Sequence, residues 1–335
     1  MITVDTSGAR WMLKVLAKAS QTGKLPDTEW RQILKSDGYE LFFARHNLTP
    51  EQFGAMISSI IENDHTTATY ATPHEKAAQA RMARMRPAFE GALQRLPQLQ
   101  RDLEQLSKGD WSDNALLRAA EWLPEDARIE AAIYVVLDGA SNGNGYDNAY
   151  GYADHNNRIA VDLLQYSGDP ASLEKPVAHV LHQIGYRSLC DPELLSGTTP
   201  ESLAFRLASI FLAEGCATAF VSGLPGPQDP GYPAWQDHIA RLPEYFALTK
   251  DYLDRIAAGH ITDALFEADM PHLYLQEGHS VARVMGVAMV QAIWKAFSKG
   301  GIFHSLRNTA LFFEIYRHAV EQLRAEGIGE GLHDL

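Results

Sequence analysis

Cysteine is scarce in this chain, with two residues, Cys190 and Cys216, among 335. Two thiols cannot build a disulfide framework, and the count suits a reducing cytoplasm. Basic residues are outnumbered, 29 Lys and Arg against 42 Asp and Glu, for a net charge of −13. Nucleic-acid binding needs a basic surface to neutralise phosphates, so that class is excluded. The local run of Arg81, Arg84, Arg86 and Arg95 falls on a helical stretch and reads as a solvated face. Long apolar runs are missing too, and none approaches the roughly 18 residues of a membrane span. The N-terminus, Met1-Ile2-Thr3-Val4-Asp5, carries no basic leader. A cytoplasmic protein with no nucleic-acid and no membrane partner is expected. Ser141, Ser188 and Ser209 lack a nucleophile-elbow context, which argues against a serine hydrolase. Gly143-x-Gly145 lacks the rest of a dinucleotide-binding spacing, and no phosphate loop occurs.

What is present is an ordinary globular composition, 46% hydrophobic and 21% charged. The length allows one large domain or two smaller ones. Apolar residues recur at helical spacing through Ala9–Ala19, Glu29–Leu34 and Pro50–Ile61. Thr49-Pro50-Glu51-Gln52 is a helix start signal. A long helical stretch from His74 to Leu106 contains Pro87 and Pro97, which predict a kink or a split. The pattern changes at Ala127. Residues 128–137 are rich in β-formers and lead into the Gly/Asn cluster Asp138–Tyr146, so a strand and loop are expected, with a second strand over Arg158–Leu163. Helices are expected again over 173–190, 201–222, 242–258, 278–298 and 304–325, with Pro225, Pro227, Pro230 and Pro233 marking a loop. The expected fold is mainly α (α+β) with a small sheet. A helical region over 1–124 would precede a functional region over 125–335.

One helix reads His179-Val180-Leu181-His182-Gln183, with Ser172 available as a cap and Pro176 expected in its first turn. His179 and Gln183 lie about 40° apart around such a helix, and His179 and His182 about 60° apart. Downstream, Glu214 sits in the apolar run Ala208–Gly215, where a carboxylate needs a partner or a metal. Gly215 beside it permits close helix packing. The bland reading pairs Glu214 with a base, for which Arg187, Arg283 and His179 are candidates.

The order of strand, Gly/Asn loop, strand, histidine helix and Glu214-Gly215-Cys216-Ala217-Thr218 helix resembles the gluzincin superfamily of zinc metallopeptidases. A helical region opening on a stretch like Val4-Asp5-Thr6-Ser7 is similar to an uncharacterised bacterial peptidase group within it. In the pattern H-E-x-x-H, two histidines hold zinc and the glutamate handles protons. The resemblance implies that His179 matches the first zinc ligand and Glu214 the third. It places the general base on Val180 and the second ligand on Gln183, so the motif is degenerate. The family's late aromatic-x-x-Gly motif falls on Arg283-Val284-Met285-Gly286, with His279 as a substitute one turn earlier. Valine cannot take a proton, and glutamine binds zinc far less well than imidazole. The expected metal set is His179, Gln183 and Glu214, with His182 as a substitute ligand, if zinc or another divalent metal binds at all. The expected catalytic set is His179, His182, Glu214, Arg283 and His279. The leading reading is an enzyme repurposed for a small or peptide-like ligand, whose carboxylate would suit Arg283. A pseudopeptidase scaffold, or a metal-dependent hydrolase with an unusual ligand set, are the alternatives.

Overall fold

The computed structural model of the protein describes residues 1–63, 72–140, 151–153, 156–166, 168–229, 231–274, 281–329 and 331–335. Helices dominate, with one small sheet, so the fold is mainly α with an α+β character. The chain divides into two compact units. One gathers Met1–Asn114 with the segments Glu130–Gly143 and Asn148–Val177, and the other holds chiefly Ala115–Ile129 and Ala178–Leu335. The strands therefore fold with the N-terminal helices, and a single cut after residue 124 does not describe this division.

The first unit begins with strand β1 (Ile2–Asp5) and helices α1 (Ser7–Thr22), α2 (Asp27–Ile33), α3 (Asp37–His46) and α4 (Pro50–Ile61). Helix α4 starts with a capping box. Gln52 N–H donates to Thr49 Oγ1 and the Thr49 N–H donates to Gln52 Oε1 at 2.9 Å. The expected long helix is two, α5 (Pro73–Gln94) and α6 (Leu96–Leu106), with Pro97 in the first turn of the second. Pro87 stays inside α5. Along α5 and beyond, Arg86 binds Glu90 and Ser59, and Arg95 donates to the Leu164 carbonyl. These two arginines serve packing as well as a solvated face. Helix α7 (Trp111–Glu121) follows.

Strands β2 (Ala131–Val136), β3 (Gly151–Ala153) and β4 (Arg158–Asp162) complete a sheet of order β1-β2-β4-β3. Strands β1, β2 and β4 run parallel, with Ile2 opposite Ala131 and Ile133 opposite Ile159, while β3 is antiparallel to β4. Helix α3 lies close to this sheet because Gly38 has no side chain, and a Cβ there would come within 2.9 Å of Tyr134 Cβ. The Gly/Asn loop expected over Asp138–Tyr146 falls from Ser141 onward outside the described residues.

Helix α8 (Ala171–Arg187) carries the histidine pair. Its start belongs to Asp169, whose carboxylate accepts the Ala171 N–H, and Ser172 donates to the Asp169 carbonyl. Ser172 is thus inside the helix, and Pro176 falls in its second turn, one turn later than expected. Then come α9 (Pro192–Ser196) and α10 (Pro200–Cys216), which runs on through a π-helical segment, Ala217–Ser222. The continuous helix Pro200–Ser222 is long and apolar enough by composition to cross a membrane, contrary to the count of unbroken runs. Its most apolar window is 56% buried within the protein, as in a core helix. Helices α11 (Tyr232–Ala240), α12 (Leu242–Ala257), α13 (Asp263–Leu273), α14 (Val281–Arg307) and α15 (Phe312–Ala325) follow. Helix α14 bends at Ser298, which has φ 59° and ψ −160°. That break falls where the sequence predicted one helix to end, and the chain resumes a helix to Arg307 that takes in Gly300 and Gly301, earlier than the expected restart at 304.

The second unit is held together where α10 crosses α14. Gly215 and Gly286 meet backbone to backbone, and a Cβ on Gly286 would overlap the Phe211 carbonyl oxygen. Phe211, Met285, Val290 and Ile293 are fully buried around this crossing. The close approach expected of Gly215 is therefore realised, and it sets what the neighbouring Glu214 can touch.

Candidate functional site

Glu214 precedes Gly215 on α10, and Arg283 lies one turn before Gly286 on α14. The glycine contact brings these two charged residues together, with Arg283 Nε donating to Glu214 Oε2 at 3.0 Å. From α8, Gln183 Nε2 donates to Glu214 Oε1 at 2.8 Å. An amide oxygen in that place would face a carboxylate oxygen, so charge fixes the orientation of the Gln183 side chain. The second N–H of the same amide faces His179 Nε2 at 3.1 Å. A donor there requires a lone pair on Nε2, which puts the imidazole proton on Nδ1. That Nδ1–H in turn donates to Ser222 Oγ at 3.2 Å, and the Ser222 hydroxyl donates to the Ala217 carbonyl at 3.2 Å.

The result is a row of hydrogen bonds running Ala217, Ser222, His179, Gln183, Glu214, Arg283. His179 Nε2 lies 3.6 Å from Glu214 Oε2, too long for a hydrogen bond between them. Burial pushes the Glu214 carboxyl up, but the Arg283 charge outweighs it and holds it far below the usual carboxylate range. Glu214 is an ionised group whose counter-ion is built in.

His182 is turned elsewhere. Its side chain is fully buried, and Nε2 donates to the Trp122 carbonyl at 3.2 Å. Nδ1 has no hydrogen-bond partner, and burial pushes the imidazole down to about 4, so the ring is neutral at pH 7. The role of substitute ligand or acid–base group beside Glu214 is corrected accordingly. About 60° around the helix separates His179 from His182, and the Trp122 carbonyl captures the second ring. His279 lies outside the described residues.

A zinc ion asks for three or four ligands at about 2.0–2.3 Å with their lone pairs free. Among the described residues, no three His, Cys, Asp or Glu side chains are grouped to hold a metal. The His179 Nε2 lone pair is taken by an amide N–H, and Gln183 turns its nitrogen, not its oxygen, to the centre. The Arg283 guanidinium stands on the carboxylate that a metal would need. The residues as arranged do not fit zinc.

Residues 30–325 match the family described as "Putative zinc dependent peptidase (DUF5700)". The chain belongs to this family. No curated protein and no solved structure matches the chain. The family description thus names a metal that the described side chains, as placed, do not fit. Arg283, which the sequence assigned to a substrate carboxylate, here stands on Glu214.

Two features were not foreseen. Ser222 completes the row from the end of the π-helical segment, and nothing in the sequence singles out a serine there. A cavity of about 200 Å³ opens beside Gln183 and Glu214, lined also by Tyr186, Arg187, Cys190, Leu195, Ser209, Ile210 and Ala213.

Proposed function

We propose that this chain is a zinc-free pseudopeptidase, a gluzincin-like scaffold in which a ligand-binding site has replaced the hydrolytic centre. The observation that carries the reading is the Arg283 Nε donor 3.0 Å from Glu214 Oε2. A guanidinium in that position supplies the positive charge that a metal would bring, and it repels a second cation. A metal entering this site would have to expel Arg283, turn Gln183 and free the His179 lone pair. Val180 supports the same reading from the sequence, because an aliphatic side chain in the motif's glutamate position cannot accept a proton from water.

The repurposed-enzyme reading draws less support from the same geometry. Its acid–base groups are engaged: His179 at both ring nitrogens, Glu214 at both oxygens. His182 is locked to the Trp122 carbonyl. The test is elemental analysis of gently purified full-length protein, together with peptide hydrolysis measured with and without a chelator. Zinc well below one equivalent and no chelator-sensitive cleavage are expected. One equivalent of zinc with chelator-sensitive cleavage would overturn the proposal.

A further inference from the structure

Arg283 is committed to Glu214, but Arg187 is not committed to anything among the described residues. It is exposed on the last turn of α8, its side chain forms no hydrogen bond or ion pair there, and it lines the 200 Å³ cavity. The Gln183–Glu214 hydrogen bond also lines that cavity, and its carboxylate is already neutralised by Arg283. The uncompensated charge at the cavity is therefore positive and sits at one place. Leu195, Ile210 and Ala213 supply apolar lining. Ser209 donates its own proton to the Arg206 carbonyl, which leaves its oxygen to accept an N–H.

We propose that this cavity binds an apolar α-carboxylate bearing an acylated amine, the chemistry of an N-acyl amino acid or of a peptide's C-terminal residue. The proposal names the ligand class of the scaffold proposed above and rests on that reading for Arg283 being unavailable. The carboxylate pairs with the Arg187 guanidinium, a geometry that suits two parallel hydrogen bonds. The apolar side chain lies on Leu195, Ile210 and Ala213. The acylated N–H donates to Ser209 Oγ or to Glu214 Oε1.

The test is calorimetric titration of the full chain with N-acetyl-L-leucine, and with N-acetyl-L-leucinamide, which lacks the charge. The acid should bind at least about tenfold more tightly than the amide, in the range of one charge-assisted pair. Arg187→Gln should bring the acid down to the level of the amide. Because Arg187 is exposed and unpaired, that variant keeps the fold. Ala213→Phe should abolish both by filling the cavity. A peptide ending in leucine that binds as well as N-acetyl-L-leucine points to a peptide end, and one that binds less well points to a small metabolite. Equal binding of acid and amide, acid binding unchanged in Arg187→Gln, or no binding of the acid would each overturn the proposal. Zinc content measured on the same sample separates the two claims. Bound zinc defeats the zinc-free reading, whereas the acid–amide difference stands or falls alone.

Discussion

Two carboxylates, Glu214 part-buried and Asp162 buried, have opposite surroundings in this protein. Glu214, in the second unit, meets a guanidinium and a side-chain amide, and stays ionised far below the usual range. Asp162, in the first unit, accepts the backbone N–H groups of Asp138, Gly139 and Leu164 at 2.9–3.0 Å. Burial and the neighbouring Asp138 carboxylate push it up to about 6, against those hydrogen bonds. Asp138 itself meets His46 Nε2 at 2.8 Å. Full-charge pairing holds an acid ionised in the interior, whereas backbone dipoles beside a second acid do not. The first arrangement makes a permanent ion pair where a metal is expected. The second makes a structural group that titrates near neutrality.

The contrast breaks most visibly at Arg283. Replacing it by methionine leaves Glu214 part-buried without its counter-ion, which should cost about 3–5 kcal/mol in urea unfolding. Adding Glu214→Gln should recover most of that loss. Little loss in the single variant would mean that Glu214 is solvated and that the ion pair matters little. Next in size is the crossing that delivers the pair. Gly286→Ala forces backbone apart, and about 2–3 kcal/mol of destabilisation is expected by thermal unfolding. A neutral effect would show that α10 and α14 can separate without consequence.

The helices that carry the site were legible in the sequence, and so was the pairing that bland reasoning assigned to Glu214. The pattern of α8 follows from local periodicity, and Glu214-Gly215 from the improbability of a lone acid in an apolar run. Strands β2 and β4 were legible because Ile, Val and Tyr cluster there. Strand β1 was not, since it is four residues long and its partners, from Ala131 onward, lie more than a hundred positions away. Strand β3 and the short helices α9, α11 and α13 were missed as well. For α11 the prolines of the preceding stretch read as loop, whereas Pro233 sits in the helix's first turn. The direction of His182 was illegible because a carbonyl sixty residues upstream decides it. Arg283 was one of three bases that the sequence offered to Glu214, and the choice among them was illegible because the Gly215–Gly286 contact decides it.

Smaller effects sharpen the comparison through pH. Asp162 has its folded pKa raised from 3.8 to about 6. The folded state then binds the proton more tightly, so its contribution is present below about pH 4 and is lost as pH rises towards 6. Asp162→Asn should remove that loss, worth about 2 kcal/mol between those limits. His182 has its folded pKa lowered from 6.5 to about 4 and acts with the opposite sign. Its neutral form favours folding above pH 6.5, and that stability is lost as pH falls towards 4. His182→Gln should flatten this acid limb by about 2–3 kcal/mol, while the lost packing lowers the whole curve without changing its slope. Stability curves from pH 4 to 7 for the two variants check both signs. Curves that tilt the same way would contradict the assignment of His182 as a buried neutral ring.

The most direct measurement compares zinc binding to the wild-type chain with zinc binding to Gln183→His/Arg283→Met, by calorimetric titration with zinc alone. The double variant removes the built-in cation and supplies a second imidazole on the same helix face as His179. The variant should take up close to one equivalent of zinc, and the wild type should show no tight binding. Tight, stoichiometric zinc binding by the wild-type chain would contradict the claim that Arg283 occupies the metal's place.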